Sequence, residues 1–231
     1  MKKYKMKKYE GFSLVEMLIT IAIIGMVMLI SSTTLISLIK VSTVSSNKIR
    51  ARNESEFVLE LVRRTVRNSD PSDVYIFDTD SARVFNFDTG QVQSNPDTPP
   101  AVIEAAYAEV PENEYGNEIH FRPYGYRDWI CLAYFPSAQN PEMGYIIRTS
   151  AADLSDEHEN CFGNAEYVMV LNSDYVNVKG FNIAYTVSND GNHIIRFDIT
   201  SEPVDWYLSS GSPIKRTVFR QGIVSTEGLI W

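Results

Sequence analysis

The chain has none of the short motifs that commonly mark catalysis, nucleotide binding or zinc binding. Its 231 residues contain no CxxC, HExxH, GxSxG, GxGxxG or P-loop sequence. Histidine is scarce as well, with His120, His158 and His193 scattered along the chain. Nothing in the sequence therefore indicates an enzyme, and we interpret the histidines as packed or surface side chains.

Basic residues are few in the C-terminal part of the chain. Residues 71–231 hold nine Lys and Arg but 23 Asp and Glu, a net charge of −14, whereas residues 1–11 carry +4. An acidic surface repels phosphate backbones, so we do not expect direct nucleic-acid binding. The basic group Lys215, Arg216 and Arg220 leaves a local exception open.

One long apolar run is present, over residues 12–39, and Glu16 is its only strongly polar side chain. A helix over this run would be roughly 42 Å long, and about 20 residues suffice to cross a bilayer. No small-residue cleavage site follows the run, which excludes an ordinary secretory signal peptide. A simple membrane anchor explains everything except Glu16, because a charge at mid-bilayer costs on the order of 2.5–3.5 kcal/mol.

Cleavage between Gly11 and Phe12 would give Glu16 a cationic partner. The new amino terminus would lie only about 6 Å along the helix from Glu16. That ammonium group could belong to the same chain or to a neighbouring subunit. In lipid an unpaired carboxylate and an unpaired ammonium are both unfavourable, so their pairing favours assembly in register.

The stretch "KKYEGFSLVEMLITIAIIGMV" resembles the N-terminus of type IV prepilins and pseudopilins. The shared features are a short basic leader, Gly11, Phe12, Glu16 at the fifth mature position and a long apolar helix. The resemblance implies that a prepilin peptidase cleaves after Gly11 and methylates the Phe12 amine. It also implies that Glu16 pairs with the Phe12 amine of an adjacent subunit.

The same resemblance implies a location and a set of partners. The expected partners are prepilin peptidase, other pilin-like subunits, membrane lipid, and an inner-membrane assembly platform with its cytoplasmic ATPase. We expect residues 1–11 to be a cytoplasmic leader that is removed, and residues 12–39 to span the inner membrane once. Residues 71–231 would then form a β-rich domain in a periplasmic or extracellular filament.

The predicted fold class is α+β, with one long helix packed on an antiparallel β-sheet as in pilins. The helix is predicted over residues 12–70, ending at Asn68-Ser69-Asp70-Pro71. Its second half carries an apolar stripe at three- and four-residue spacing, formed by Phe57, Val58, Leu61, Val62 and Val66.

Beyond Pro71, short β-branched and aromatic segments predict strands. They cover residues 73–78, 82–88, 117–123, 129–135, 144–149, 166–171, 181–187, 193–200 and 216–224. Ser188-Asn189-Asp190-Gly191 predicts a hairpin turn. The Pro-rich residues 89–101 are predicted to be a loop without a strand.

Looser features narrow the resemblance to J-type minor pseudopilins of type II secretion or to W-type minor pilins. These features are the segments "LELVRRTVRN", "IHFRPYG", "ICLAYF" and "VKGFNIAYTVSNDGNHIIRFDIT". The alternatives are a major adhesive pilin, a DNA-uptake pilin, or a single-pass membrane-anchored receptor or enzyme.

Thr33 stands where many major pilins have a helix-loosening proline, and Ser31-Ser32-Thr33-Thr34 could bend the helix only mildly.

Two cysteines, Cys131 and Cys161, lie in the part of the chain expected to be exported. An even cysteine count in an oxidising compartment favours a disulfide. The alternative is a buried small apolar residue at position 131 and an incidental loop thiol at 161.

Two further groups of residues are weak candidates for binding. The acidic run containing Asp153, Asp156, Glu157 and Glu159 raises the question of calcium, because some pseudopilins bind that ion. Its spacing does not fit an EF-hand, so a solvated loop is preferred and no cofactor is expected. Tyr124, Tyr126 and Trp129 could form an aromatic contact surface, although such residues more often fill a core or a turn.

Overall fold

The computed structural model describes residues 11, 13–79, 82–105, 108–151, 161–162, 168–204 and 217–226. By its contacts the chain forms two compact units, Met1–Ser46 and Asn47–Trp231. The helix α1 covers Leu14–Arg67 and is followed by strands. The predicted α+β plan, with one long N-terminal helix and antiparallel strands, is therefore confirmed.

In the first unit, α1 presents apolar side chains in every direction. From Leu14 to Val41 its described side chains are exposed, including most of the Leu, Ile, Val and Met residues of this stretch. Within the described residues, α1 is the helix that is long and apolar enough to cross a membrane. A helix that is apolar on all sides needs lipid or other apolar helices around it.

In the second unit, the helical residues from Asn47 onward bury one stripe. The buried positions recur every three or four residues, which places them on one face of a helix. They are Ala51, Ser55, Val58, Leu59, Val62 and Val66. The stripe is thus shifted from the predicted one, because Phe57 is 60% exposed and Leu61 only partly buried.

The strands of the described residues form two larger sheets and a small one, rather than a single sheet. The five-stranded sheet has the order β1-β4-β5-β6-β7, the three-stranded sheet β10-β9-β8, and β2 pairs with β3. All the strand pairs in these sheets are antiparallel. The strand bounds are β1 Ser69–Phe77, β2 Arg83–Asn86, β3 Gln91–Ser94, β4 Glu118–Pro123, β5 Trp129–Pro136, β6 Gly144–Ala151, β7 Val168–Val170, β8 Val176–Val187, β9 His193–Pro203 and β10 Val218–Ser225, with a short helix α2 at Pro100–Ala105.

The five-stranded sheet is buried on both faces, which explains why β5 reads as a nearly continuous apolar run. Ile130 and Leu132 of β5 belong to the cluster that contains the buried stripe of α1 and the inner residues of β8 and β9. The alternate residues Trp129, Cys131 and Phe135 belong to a second cluster on the opposite face, together with Phe85 and Phe162. Successive side chains on a strand point to opposite faces, so one strand serves both cores.

The predicted loop at residues 89–101 is wrong in its first part, where β3 pairs with β2. The turn between the two strands is stabilised by Asn86, whose Oδ1 accepts hydrogen bonds from the backbone N–H groups of Asp88 and Thr89. Gly90 then adopts a φ of 67°, a conformation that favours glycine. The Asx turn at Asn86 is a sequence signal for this hairpin. The prolines of residues 89–101 instead favoured the prediction of a loop.

The predicted hairpin at Ser188-Asn189-Asp190-Gly191 is confirmed. Strands β8 and β9 flank it, and Val187 is opposite His193 in their register. Gly191 has a φ of 78°, and its N–H donates to the Ser188 carbonyl at 3.0 Å.

A fully buried carboxylate, Glu118, lies at the start of β4. Its Oε2 accepts hydrogen bonds from Arg83 and from the Thr79 hydroxyl, and its Oε1 accepts from His120 Nε2 at 2.6 Å. Burial alone would raise the pKa of Glu118, but Arg83, His120 and Thr79 outweigh it and hold the pKa at about 2. Such a group is stable only as a complete network, because removing one member leaves an uncompensated buried charge.

We therefore predict that Glu118→Gln destabilises the folded protein by roughly 3–5 kcal/mol. Denaturant unfolding of the full chain in detergent at pH 7 measures this change. Glu114→Gln is a matched control, because Glu114 is exposed, and it should change stability by less than about 0.5 kcal/mol.

The pKa of Glu118 in the folded protein lies below the ordinary value of 4.5. The stabilisation from Glu118 should therefore be complete above pH 4.5 and fall as pH drops toward 2. A loss below about 1 kcal/mol at pH 7 would contradict the network's role.

Candidate functional site

The N-terminus of α1 is closed by a reciprocal pair of hydrogen bonds between Ser13 and Glu16. The Ser13 backbone N–H donates to Glu16 Oε2 at 3.0 Å, and the Glu16 backbone N–H donates to Ser13 Oγ at 3.2 Å. This arrangement is a capping box, in which two N–H groups left over at a helix start are each satisfied by a side chain. Sequence reasoning missed Ser13, although the spacing S-x-x-E before an apolar run is the known signal of this cap.

The capping box also fixes where the Glu16 carboxylate lies. It is turned back toward the start of the helix, within hydrogen-bonding distance of the N–H of Ser13. Phe12, the residue before Ser13, lies outside the described residues. Gly11 is exposed, and no atom lies within 4 Å of the position of a Cβ added to it. The carboxylate is therefore held at the N-terminal end of α1.

Threonine side chains inside the apolar run bond back to the helix itself. Thr33 and Thr34 both donate to the Ile30 carbonyl, at 2.9 and 2.8 Å, and Thr20 donates to the carbonyl of Glu16. Their hydroxyl groups are thus satisfied without water, which lowers the cost of placing them in lipid. The helix continues unbroken through residues 31–34.

The structure joins Cys131 and Cys161 by a disulfide, with their Cα atoms 6.4 Å apart. Both residues are fully buried in the second cluster. A ring nitrogen of His120 lies within 4.8 Å of both sulfur atoms. Because a metal ion is bound by the thiolate and not by a disulfide sulfur, we interpret this trio as packing. The oxidised state of the pair in the native protein stays a prediction.

The other residues singled out in the sequence are dispersed. Asp153, Asp156, Glu157 and Glu159 lie outside the described residues, as do His158, Lys215 and Arg216. Arg220, the third member of that basic group, pairs with Glu56 at 3.2 Å. Of the three aromatic residues, Trp129 is buried in the second cluster, whereas Tyr126 is largely exposed. Trp129 is therefore a core residue and not part of an aromatic contact surface.

Comparison with known proteins gives one match. A family model described as the prokaryotic N-terminal methylation motif matches residues 6–32. The matched segment contains Gly11, Phe12, Ser13 and Glu16, together with the first part of the apolar run. No curated protein and no solved structure gives a significant match.

We predict that the two cysteines of the native protein are linked to each other. A digest made without reductant should yield a peptide that joins Cys131 to Cys161, and the double variant Cys131→Ala/Cys161→Ala should lose about 3–4 kcal/mol of stability. Native protein whose thiols both react with an alkylating reagent after unfolding without reductant would contradict the prediction.

Proposed function

We propose that this chain, which carries the N-terminal methylation motif of the type IV pilin and pseudopilin superfamily, is a minor structural subunit of a type IV pilus or of a type II secretion pseudopilus. The motif marks it as a pilin-like substrate of prepilin peptidase that is anchored in a membrane by its N-terminal helix. Its role would be structural rather than catalytic. Glu16, capped by Ser13 at the head of an apolar helix, is the observation that carries the proposal.

In this proposal, Glu16 recruits the subunit into a growing filament. Prepilin peptidase cleaves after Gly11, and the freed and methylated amine of Phe12 becomes a cation at the head of the helix. A carboxylate and an ammonium attract strongly where water is absent, so Glu16 of an incoming subunit pairs with the Phe12 amine of the subunit already in place. The apolar side chains of α1, exposed in the single chain, then pack against like helices.

The finer assignment to a minor, J-type or W-type subunit is supported by the β-rich part of the chain. Its described residues form ten strands after α1, and α1 ends with Arg64 and Arg67 in its last turn. We further propose that the leader lies in the cytoplasm and that the strands are exported across the inner membrane. The assembly platform and its ATPase would then supply the force for extraction from lipid.

The proposal predicts a charge requirement at Glu16 that differs from its capping role. Glu16→Leu removes both the charge and the cap, whereas Glu16→Gln keeps a side chain that can complete a capping box. If charge pairing drives assembly, both variants should be depleted at least tenfold from sheared filaments. If capping alone matters, the Gln variant should assemble like the unaltered protein.

Processing serves as the control in this experiment, because cleavage precedes assembly. Mass spectrometry of the membrane-extracted protein should find an N-methylated Phe12 at the N-terminus of both variants and of the unaltered chain. An intact lysine-rich leader on the unaltered chain would overturn the proposed function.

A further inference from the structure

A cavity of about 660 Å³ lies where several strands of the second unit begin or end. Its volume falls within the range of ligand-binding cavities in proteins. The residues that matter below come from three places, namely Phe87 and Asp88 from the turn between β2 and β3, Met143 and Tyr145 from around the start of β6, and Val204 from just after β9.

Hydrogen bonds hold the β2–β3 turn against the connection between β5 and β6. Asn86 Oδ1 accepts from the Asp88 backbone N–H at 3.1 Å and from Gln139 Nε2 at 2.7 Å. Gln139 Oε1 in turn accepts from the Ser137 hydroxyl at 3.1 Å and from the Phe87 backbone N–H at 3.4 Å. Asp88 and Phe87 are therefore carried on a turn that is fixed from both sides.

Two aromatic rings form part of the cavity wall. Phe87 stacks on Tyr145, with the ring centroids 5.7 Å apart and the planes 29° from parallel. Phe85 meets both rings edge-on from the core. Phe87 is nevertheless 47% exposed, so its ring is held in place without being covered. The face of an aromatic ring is negative and attracts cations.

Tyr145 also brings to the cavity a hydroxyl group that has no hydrogen-bond partner among the described residues. The residue as a whole is only 7% exposed, and a tyrosine hydroxyl on a buried ring usually has a partner. Burial and the negative charge of Asp174 raise the pKa of Tyr145, so the hydroxyl stays protonated. Its oxygen can still accept a hydrogen bond from a ligand.

The charges in the described lining are of one sign. The lining includes Asp88 and Asp174 and contains no Lys or Arg. No cationic side chain pairs with the Asp88 carboxylate in the described part of the chain. Asp174 interacts elsewhere in the structure as well, so its contribution here is negative potential. Lys179 donates to the carbonyl of Glu142 at 2.7 Å, close in sequence to Met143, but it is not part of the described lining.

This combination of groups does not suit a metal ion. Calcium takes about six to eight oxygen ligands, whereas Asp88 and Asp174 belong to no group of three metal-ligating side chains among the described residues. Phe87, Met143 and Val204 give other parts of the wall an apolar surface. A ligand with an apolar stem and a cationic head matches both parts of the cavity.

We infer that this cavity binds a lysine side chain presented by another protein. The stem of the lysine would pack on Phe87 and Met143, and its ammonium group would donate to the Asp88 carboxylate and the Tyr145 hydroxyl. Lysine is favoured over arginine because its three donors can reach separate acceptors, whereas the guanidinium fork suits a single carboxylate. The net charge of −14 over residues 71–231 also attracts a basic partner.

The test is an NMR titration of the full chain in detergent, labelled with ¹³C at its methionine methyl groups, at a salt concentration of about 50 mM. The peptide acetyl-Gly-Gly-Lys-Gly-Gly-amide should shift the Met143 methyl signal saturably. The signal of Met169, an exposed residue of β7 outside the described lining, should not move. The same peptide with norleucine in place of lysine keeps an apolar stem but has no ammonium group, so it should bind at least about tenfold more weakly.

Variants of the chain test the two acceptors. Asp88→Asn should weaken binding of the lysine peptide about tenfold, and Tyr145→Phe, which keeps the stacked ring, about threefold. Asp97→Asn is the matched control, because Asp97 is exposed, lies outside the described lining and, like Asp88, has its N–H bonded to the asparagine two positions earlier. The control should stay within about twofold of the unaltered affinity, and circular dichroism should show that all variants are folded.

Four results would each overturn the inference. They are the absence of a saturable Met143 shift, equal loss of affinity in the Asp88 and Asp97 variants, tighter binding of the corresponding arginine peptide, and a Met143 shift produced by Ca²⁺ at lower concentration than by the lysine peptide. The titration requires neither Phe12 methylation nor a filament, so failure here and failure of the proposed function are separate results.

Discussion

The account depends on the cost of placing a carboxylate where water is absent. Glu16 stands at the head of a helix whose described side chains are exposed and apolar, and an uncompensated charge in lipid is strongly unfavourable. The hydrogen bond from the Ser13 N–H relieves part of this cost within one chain. In the proposed function, the remainder is relieved by a cation, the freed amine of Phe12. Assembly would then follow from a local electrostatic requirement.

The same constraint is met differently inside the strand-rich unit. Glu118 is fully buried, and it is satisfied within its own chain by Arg83, His120 and Thr79, which hold its pKa at about 2. Where the chain itself provides the counter-charge, the pair stabilises the fold.

How far the sequence predicts this protein depends on the range of each interaction. The apolar run, the helix end near Asn68 and the turn at Gly191 depend on neighbours in sequence, and each was predicted closely. The network at Glu118 joins residues 35 and 39 positions apart, so no local pattern reveals it. The division into two sheets likewise depends on which strands pair. The cap at Ser13 is a local feature too, since the S-x-x-E spacing before an apolar run is its signal.

The most direct test is the distance between the Glu16 carboxylate and the Phe12 amine in an assembled filament. Filaments grown from a mixture of ¹³C-glutamate-labelled and ¹⁵N-phenylalanine-labelled subunits allow solid-state NMR to detect only contacts between subunits. The account predicts a cross-peak between the Glu16 carboxylate carbon and the Phe12 nitrogen, corresponding to a separation of about 4 Å. Filaments in which that cross-peak is absent, while Glu16 keeps only its bond to Ser13, would contradict it.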